Sequence, residues 1–319
     1  TMEAGITIEG YGLGVAISDL DYDGWSDIYV SNDYLSNDIM YINNGDGTFT
    51  DKISEFVKHQ SKFSMGNDIA DFNNDGYLDI VTLDMLGETN NRLKTTVKST
   101  RYNDYYMNDK YGYDYQYMRN MLQMGQGPNM PYSEIGLMAG IGKTDWSWSP
   151  LFVDADNDGR KDLLITNGFP RDITDLDFGE FNFNVQKYLS TAQILDSIPV
   201  VKIPNYAYRN EGNGQFEDVG KEWGLSIPSF SNGAAFADLD NDGDLDYVVN
   251  NINDEAFVFR NNLDVKKKEN TNFLKLDLIG PKSNQAGLGT KVAIRFKDGT
   301  FQYYEHQLWY FQQLGNQGL

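Results

Sequence analysis

Four stretches of the chain crowd carboxylates at a spacing that suits a hard cation. They are DLDYDGWSDIYV from Asp19, DFNNDGYLDIVT from Asp71, DADNDGRKDLLI from Asp154 and DLDNDGDLDYVV from Asp238. Each reads D-x-[DN]-x-D-G-x-x-D. The first loop carries Asp19, Asp21, Asp23 and Asp27, and the second Asp71, Asn73, Asp75 and Asp79. The third carries Asp154, Asp156, Asp158 and Asp162, and the fourth Asp238, Asp240, Asp242 and Asp246. In a tight curl, side chains at positions one, three and five face one focus, and position nine supplies a closing carboxylate. Position six must turn sharply, and it is glycine every time: Gly24, Gly76, Gly159 and Gly243. Position seven would offer only its backbone carbonyl, so its side chain can vary: Trp25, Tyr77, Arg160 and Asp244. Calcium takes about six to eight oxygens at roughly 2.3–2.6 Å, and these loops are expected to hold about four ions, one each.

Two other readings compete. An EF-hand needs a bidentate Glu at position twelve and an exiting helix, but position twelve here is Val30, Thr82, Ile165 or Val249, within apolar runs. A single Asp-Gly turn is merely a good hairpin turn. Four aligned copies put 15 carboxylates at ligand positions, with Asn73 the one exception. Without cations these would repel one another. The expected affinity is ~10⁻⁴–10⁻³ M, as in extracellular modules.

The elements that must position these loops are strands. Short runs of small and apolar residues (GVAIS, NDIA, LFV, AAFA) precede the loops, and β-branched or aromatic runs follow them. Phe49, Tyr132 and Phe216 each lie 22 residues ahead of a first loop aspartate, and Phe49 and Phe216 end Gly-x-Gly-x-Phe turns. Gly5, Gly140 and Gly224, each followed by Ile or Leu, lie 14 residues ahead of one. Residues 1–6 thus read as the tail of a repeat, and the chain is expected to begin partway through a larger protein.

The first loop aspartates are separated by 52, 83 and 84 residues. About 50 residues carrying four short strands is one propeller blade. The excess predicts insertions at about 85–119, rich in tyrosine and partly helical, and at about 169–206, with helical spacing in FNVQKYLSTAQILDSI. The fold class is therefore all-β: blades over 1–264, then a partial β domain over 270–319. Lys266, Lys267 and Lys268 fall in the linker between them and read as nothing more.

Composition excludes several classes. A net charge of −21 disfavours nucleic acid and anionic membrane surfaces. With no cysteine there are no disulfides, thiolate metal sites or cysteine nucleophiles. Only His59 and His306 are available for histidine chemistry, and neither has a partner in the sequence. No apolar run approaches a membrane span of ~20 residues. At 14% aromatic and 40% hydrophobic residues, the chain can fill a core despite a mean hydropathy of −0.53.

The loops and Gly-x-Gly-x-Phe turns resemble the FG-GAP/VCBS repeats of integrin α-subunit propellers and their bacterial relatives. The stretch with Ser283, Asn284, Gly287, Leu288 and Gly289 resembles the start of an ASPIC/UnbV domain. Together they resemble the cartilage acidic protein family, and RNMLQ and TDWSWSPLF resemble exported VCBS-repeat proteins of Bacteroidetes. The resemblance implies calcium in the loops and a place outside the cell or on the outer-membrane surface, with or without a lipid anchor. It implies adhesion, ligand binding or surface complexes, and no particular reaction.

The leading expectation is a binding, adhesion or scaffolding module for a protein or carbohydrate. A lyase-type polysaccharide enzyme and an accessory subunit of an outer-membrane complex are the alternatives. Tyr102, Tyr105, Tyr106, Tyr111, Tyr113, Tyr115 and Tyr117 could form a platform, but packing against their own blades is the favoured reading. Trp146 and Trp148 are expected in the core. Arg171, Asp172, Asp175 and Asp177 are expected to be a solvated loop.

Overall fold

A computed structural model describes residues 2–96, 102–263, 273–297 and 299–307. The linker lysines Lys266, Lys267 and Lys268 lie outside these. The first blade is an antiparallel sheet of β1 (Tyr11–Ser18), β2 (Asp27–Asp33), β3 (Ile39–Asn43) and β4 (Phe49–Asp51), side by side in chain order. After β4 come α1 (Ile53–Phe56) and β5 (Gln60–Ser61). The second blade uses β6 (Asn67–Ala70) and β7 (Asp79–Thr82), and after β8 (Gln116–Tyr117), β9 (Met121–Met124) and β10 (Ser133–Glu134). Strand β8 leaves its blade to pair in parallel with β5.

The third blade has β11 (Ser147–Val153) and β12 (Asp162–Asn167), then, past β13 (Ile203–Pro204), β14 (Tyr206–Gly212) and β15 (Gln215–Asp218). After β16 (Pro228–Ser229), the fourth sheet comprises β17 (Ser231–Ala237), β18 (Asp246–Asn251) and β19 (Phe257–Phe259), three strands among the described residues. The expected all-β propeller of four-stranded blades is therefore present, with three complete blades and a fourth of three strands among the described residues. In each blade the acidic loop joins the first strand to the second.

The inner strands β1, β6, β11 and β17 run beside one another. Ser31 donates to the Met65 carbonyl at 2.6 Å, and the Phe152 amide donates to Asp68 at 2.7 Å, each across a blade boundary. Hydrophobic cores lie between blades. Met40, Ile69 and Ile80 fill the first gap, Phe72, Leu122, Phe152 and Leu163 the second, and Leu151, Leu164 and Val249 the third. This explains the short, almost uniformly apolar runs: a strand sandwiched between blades is buried on both faces. Strand β12 is buried at all six residues.

Both insertions leave from the same place, between the second and third strands of consecutive blades. The first contains α2 (Asn90–Thr95) and α3 (Tyr102–Tyr111), the second α4 (Leu176–Val185) and α5 (Thr191–Asp196). An alternating meander puts them at the end opposite the acidic loops. Helices were expected, but the packing of the tyrosines is corrected. Tyr102, Tyr105, Tyr106, Tyr111, Tyr113 and Tyr115 are exposed, Tyr105 stacks on Tyr115, and only Tyr117 is partly covered. Helix α3 has no apolar stripe with which to bury itself.

The core expectation for the tryptophans holds in part: Trp148 is half-buried and packs against the core between the second and third blades. The fully buried face at the start of β11 belongs to Ser147 and Ser149. The tryptophans are partly buried on the other face, and Trp146 stacks on Phe169 at 4.3 Å. Asp172 is also not solvated. It is buried and paired with Arg92, which grips Asp145 through a second fork at 2.7 and 2.9 Å. One guanidinium thus joins the two insertions. Asp175 caps α4, while Arg171 and Asp177 are exposed as expected.

Beyond the propeller, β20 (Lys291–Arg295) and β21 (Phe301–Glu305) form a hairpin.

Candidate metal centre

All four loops adopt one conformation. Position four has φ of 66° at Tyr22, 61° at Asn74, 52° at Asn157 and 61° at Asn241. Position six has φ of 96°, 89°, 90° and 95° at Gly24, Gly76, Gly159 and Gly243, a conformation that glycine adopts without steric cost. The Gly24, Gly76 and Gly159 amides donate back to Asp19, Asp71 and Asp154 at 2.9, 2.9 and 3.0 Å. Position five takes the position-seven amide: Trp25 onto Asp23 at 2.8 Å, Tyr77 onto Asp75 at 2.8 Å and Arg160 onto Asp158 at 2.8 Å.

Three loops bring three carboxylates together with one oxygen of each within 4.8 Å of the others: Asp19/Asp21/Asp27, Asp154/Asp156/Asp162 and Asp238/Asp240/Asp242. In the second loop Asn73 accepts from the Asp75 amide and donates to its carboxylate, an uncharged tie where the other loops carry an aspartate. Among the described residues the buried Oδ1 atoms of Asp19, Asp154 and Asp244 have no hydrogen-bond partner. An orphaned carboxylate oxygen inside an acidic cluster is the donor a calcium ion completes, so the residues present fit the ion.

Electrostatics point the same way. Burial pushes Asp27 up to about 7 against amide hydrogen bonds from Asn43 and Leu20. It likewise raises Asp162 to about 8, and Asp71 and Asp154 to about 6, while Asp79 rises well above its ordinary range. These carboxylates resist ionisation unless a positive charge is supplied.

Position nine does more than the sequence suggested. Asp27, Asp79, Asp162 and Asp246 are buried, and each ties its loop to the blade. One oxygen takes the position-two amide: Leu20 at 2.7 Å, Phe72 at 2.9 Å, Ala155 at 3.0 Å and Leu239 at 3.0 Å. The other takes an amide near the end of the third strand: Asn43, Gly125, Asn210 and Asn261, all at 2.8–2.9 Å. Position seven covers the neighbouring hairpin glycine in three blades, Trp25 at Gly45, Tyr77 at Gly127 and Arg160 at Gly212. Asp244 departs from the rule. Its side chain is buried and accepts from the Leu263 amide at 3.0 Å.

Two residue sets escaped the sequence reading. Position four reaches the loop of the next blade: Tyr22 accepts from the Leu78 amide, Asn74 donates to the Gly159 carbonyl at 2.9 Å, and Asn157 donates to the Gly243 carbonyl at 3.4 Å. The asparagine closing the third strand reaches back to the previous loop. Asn210 donates to the Phe72 carbonyl at 2.8 Å, and Asn261 to the Ala155 carbonyl at 2.8 Å. The signal was present: Asn43, Asn210 and Asn261 sit 24, 56 and 23 residues after the first aspartate of their own loops, and the first two stand at the head of a hairpin. Lys161 is also buried beside Asp154 and Asp71, where loss of hydration pulls its ammonium down to about 8.

Chained acidic loops on four radiating sheets define a repeat-built β-propeller with candidate cation sites at one end. The sequence profile described as FG-GAP-like repeat matches residues 19–82 and 203–249, which take in the first, second and fourth acidic-loop regions up to Val249, and this supports an FG-GAP-like propeller. No curated protein matches the chain. Among solved structures it is similar, at 14% identity and a TM-score of 0.32, to a lectin of Agrocybe aegerita described as recognising non-reducing terminal N-acetylglucosamine. It is also similar, at 13% identity and a TM-score of 0.31, to the Tc holotoxin pore of Photorhabdus luminescens. The matches cover 77% and 94% of this chain but only 52% and 11% of those chains. Among the described residues no helix is long and apolar enough to cross a membrane.

Proposed function

We propose that this chain is a calcium-stabilised propeller that serves as a binding or scaffolding module at the cell surface. One observation carries the reading: three carboxylates gather in each of three equivalent loops, with buried oxygens left unpartnered in two of those clusters. Weak sites of this class fill where calcium is plentiful, which favours an exported location over a calcium-poor cytosol. In a chain without disulfides the ions would act as staples, binding the folded state alone and stabilising it by mass action.

The partner-binding end is the one built by the insertions. Six exposed tyrosines there present rigid, amphipathic rings, which suit a surface protein or a carbohydrate. Arg92, shared between the insertions, holds the platform in a fixed shape before any partner arrives.

Thermal melting with calcium and with excess chelator tests the metal reading. A melting temperature that climbs with calcium supports it, and superimposable curves overturn it. A glycan array and a cell-surface pull-down, each repeated with Tyr102→Ala and Tyr106→Ala, test the platform. Binding that survives both substitutions undiminished places the partner elsewhere.

A further inference from the structure

We propose that the hairpin β20–β21 is a built-in cap on the acidic-loop end, and that Lys291 is a tethered cation which a divalent ion must displace from the first loop. This rests on the calcium reading above.

One stretch of chain touches all four loops. Lys291 Nζ pairs with Asp19 Oδ2, joining residues 272 apart in sequence. Its cross-strand partner Glu305 accepts from the Ser18 hydroxyl at 2.6 Å and from the Asp19 amide at 3.4 Å. Phe301 lies on Gly76 of the second loop, where an added Cβ would stand 3.0 Å from its ring. Gln302 donates to the Gly159 carbonyl of the third at 3.0 Å, and the Lys161 ammonium sits 3.5 Å from the Tyr304 ring centre. Upstream of the hairpin, Phe273 presses on Gly243 of the fourth loop, and Lys275 donates to Asn241 at 3.4 Å.

The lysine is placed where an ion's charge is needed. Asp19 is 2% exposed, and its Oδ1 has no partner. A buried carboxylate requires a counter-charge. The other loop cations differ: Arg160 pairs with Asp158, and Arg260 with Asp240 and Asp242, all at positions three or five and more open to solvent. Among the described residues Asp19 is the buried first carboxylate that forms an ion pair with a cation from beyond the propeller, whereas Lys161, beside Asp154 and Asp71, belongs to the loops themselves. An ammonium and a divalent ion on one carboxylate repel strongly at this depth. Ion entry at the first loop therefore expels Lys291, and with it loosens β20–β21. The first loop becomes the weakest of the divalent sites, and the cap becomes an element released by calcium.

Trp25 gives a local reporter, because no other loop carries a tryptophan. Terbium, a calcium stand-in, is titrated while tryptophan-sensitised luminescence is followed, with Trp25→Phe assigning the signal to the first loop. Lys291→Met is expected to tighten terbium there by about tenfold or more, and Lys291→Arg to leave it weak. In the unaltered protein, hydrogen exchange across residues 291–305 is expected to speed up on saturation with calcium. Unchanged first-loop affinity in Lys291→Met, or exchange that stays constant or slows, overturns the cap while calorimetric calcium binding at other loops leaves the calcium reading standing. No binding at any loop in either protein overturns both.

Discussion

Asn210, at the close of one blade's third strand, donates to the carbonyl of Phe72, inside the acidic loop of the blade before it, across a sequence separation of 138 residues. The same amide group reaches the Lys161 carbonyl at 3.0 Å. A single buried side chain therefore spans two loops, and loop shape is a property of neighbouring blades together.

Asn210→Ala strips two carbonyls of their donor in a site that is 2% exposed. Each unsatisfied buried group costs about 1–3 kcal/mol, so a loss of roughly 2–4 kcal/mol is expected in urea unfolding. Calcium affinity at the second and third loops should fall in parallel. A variant of unchanged stability would show that the interblade bonds contribute nothing.

Asp154→Ala removes the first carboxylate of the third loop, one of whose oxygens has no hydrogen-bond partner. Calorimetry should find one calcium fewer per chain and a lower melting temperature in calcium. In chelator the difference should shrink or reverse, since removing one of several crowded acids relieves repulsion. Equal destabilisation in both buffers would mean that Asp154 serves only as a turn residue.

Burial raises Asp38 to about 7, with Asn32, Tyr29 and Ser64 donating to it. Between the ordinary carboxylate range and about 7, the folded protein keeps a proton that the unfolded chain has lost. Its stabilising contribution is therefore full below about 4 and fades as pH climbs through 7. Asp38→Asn keeps the shape and can donate to the two hydroxyls. It should flatten the decline by up to about 1.4 kcal/mol per pH unit, read from urea midpoints at successive pH values. Parallel pH profiles for the two proteins would refute the assignment.

Arg92→Met leaves Asp145 and Asp172 facing each other without their shared cation. Breaking a buried ion pair typically costs about 3–5 kcal/mol. Hydrogen exchange should quicken in α2 and at the start of the second insertion, while the acidic loops at the far end stay protected. A global rather than local change would mean that Arg92 holds the blades and not the insertions.

Much of this was legible in the sequence because repetition multiplies weak signals. One Asp-Gly turn is ambiguous, whereas four in register located the loops, their glycines and the strands on either side. The insertions were legible as excess length, and their helices as spacing. What stayed hidden depends on who the neighbour is. Asn74 and Asn210 look like ordinary turn residues until the next blade brings Gly159 and Phe72 beside them. The burial of Asp172 depends on Arg92, 80 residues away. The exposure of the tyrosines was misjudged because composition alone cannot tell a ring that fills a core from one that is displayed. The seat of β20–β21 on the loops was likewise beyond reach, since nothing local to Lys291 announces Asp19.

The shared departure point of the two insertions has an evolutionary corollary. Lengthening or rewriting residues 85–119 and 169–206 alters one end of the blades, while the strands and the acidic-loop end keep their residues and spacing. Change confined to that end would leave the interblade packing untouched, and relatives are expected to diverge fastest there.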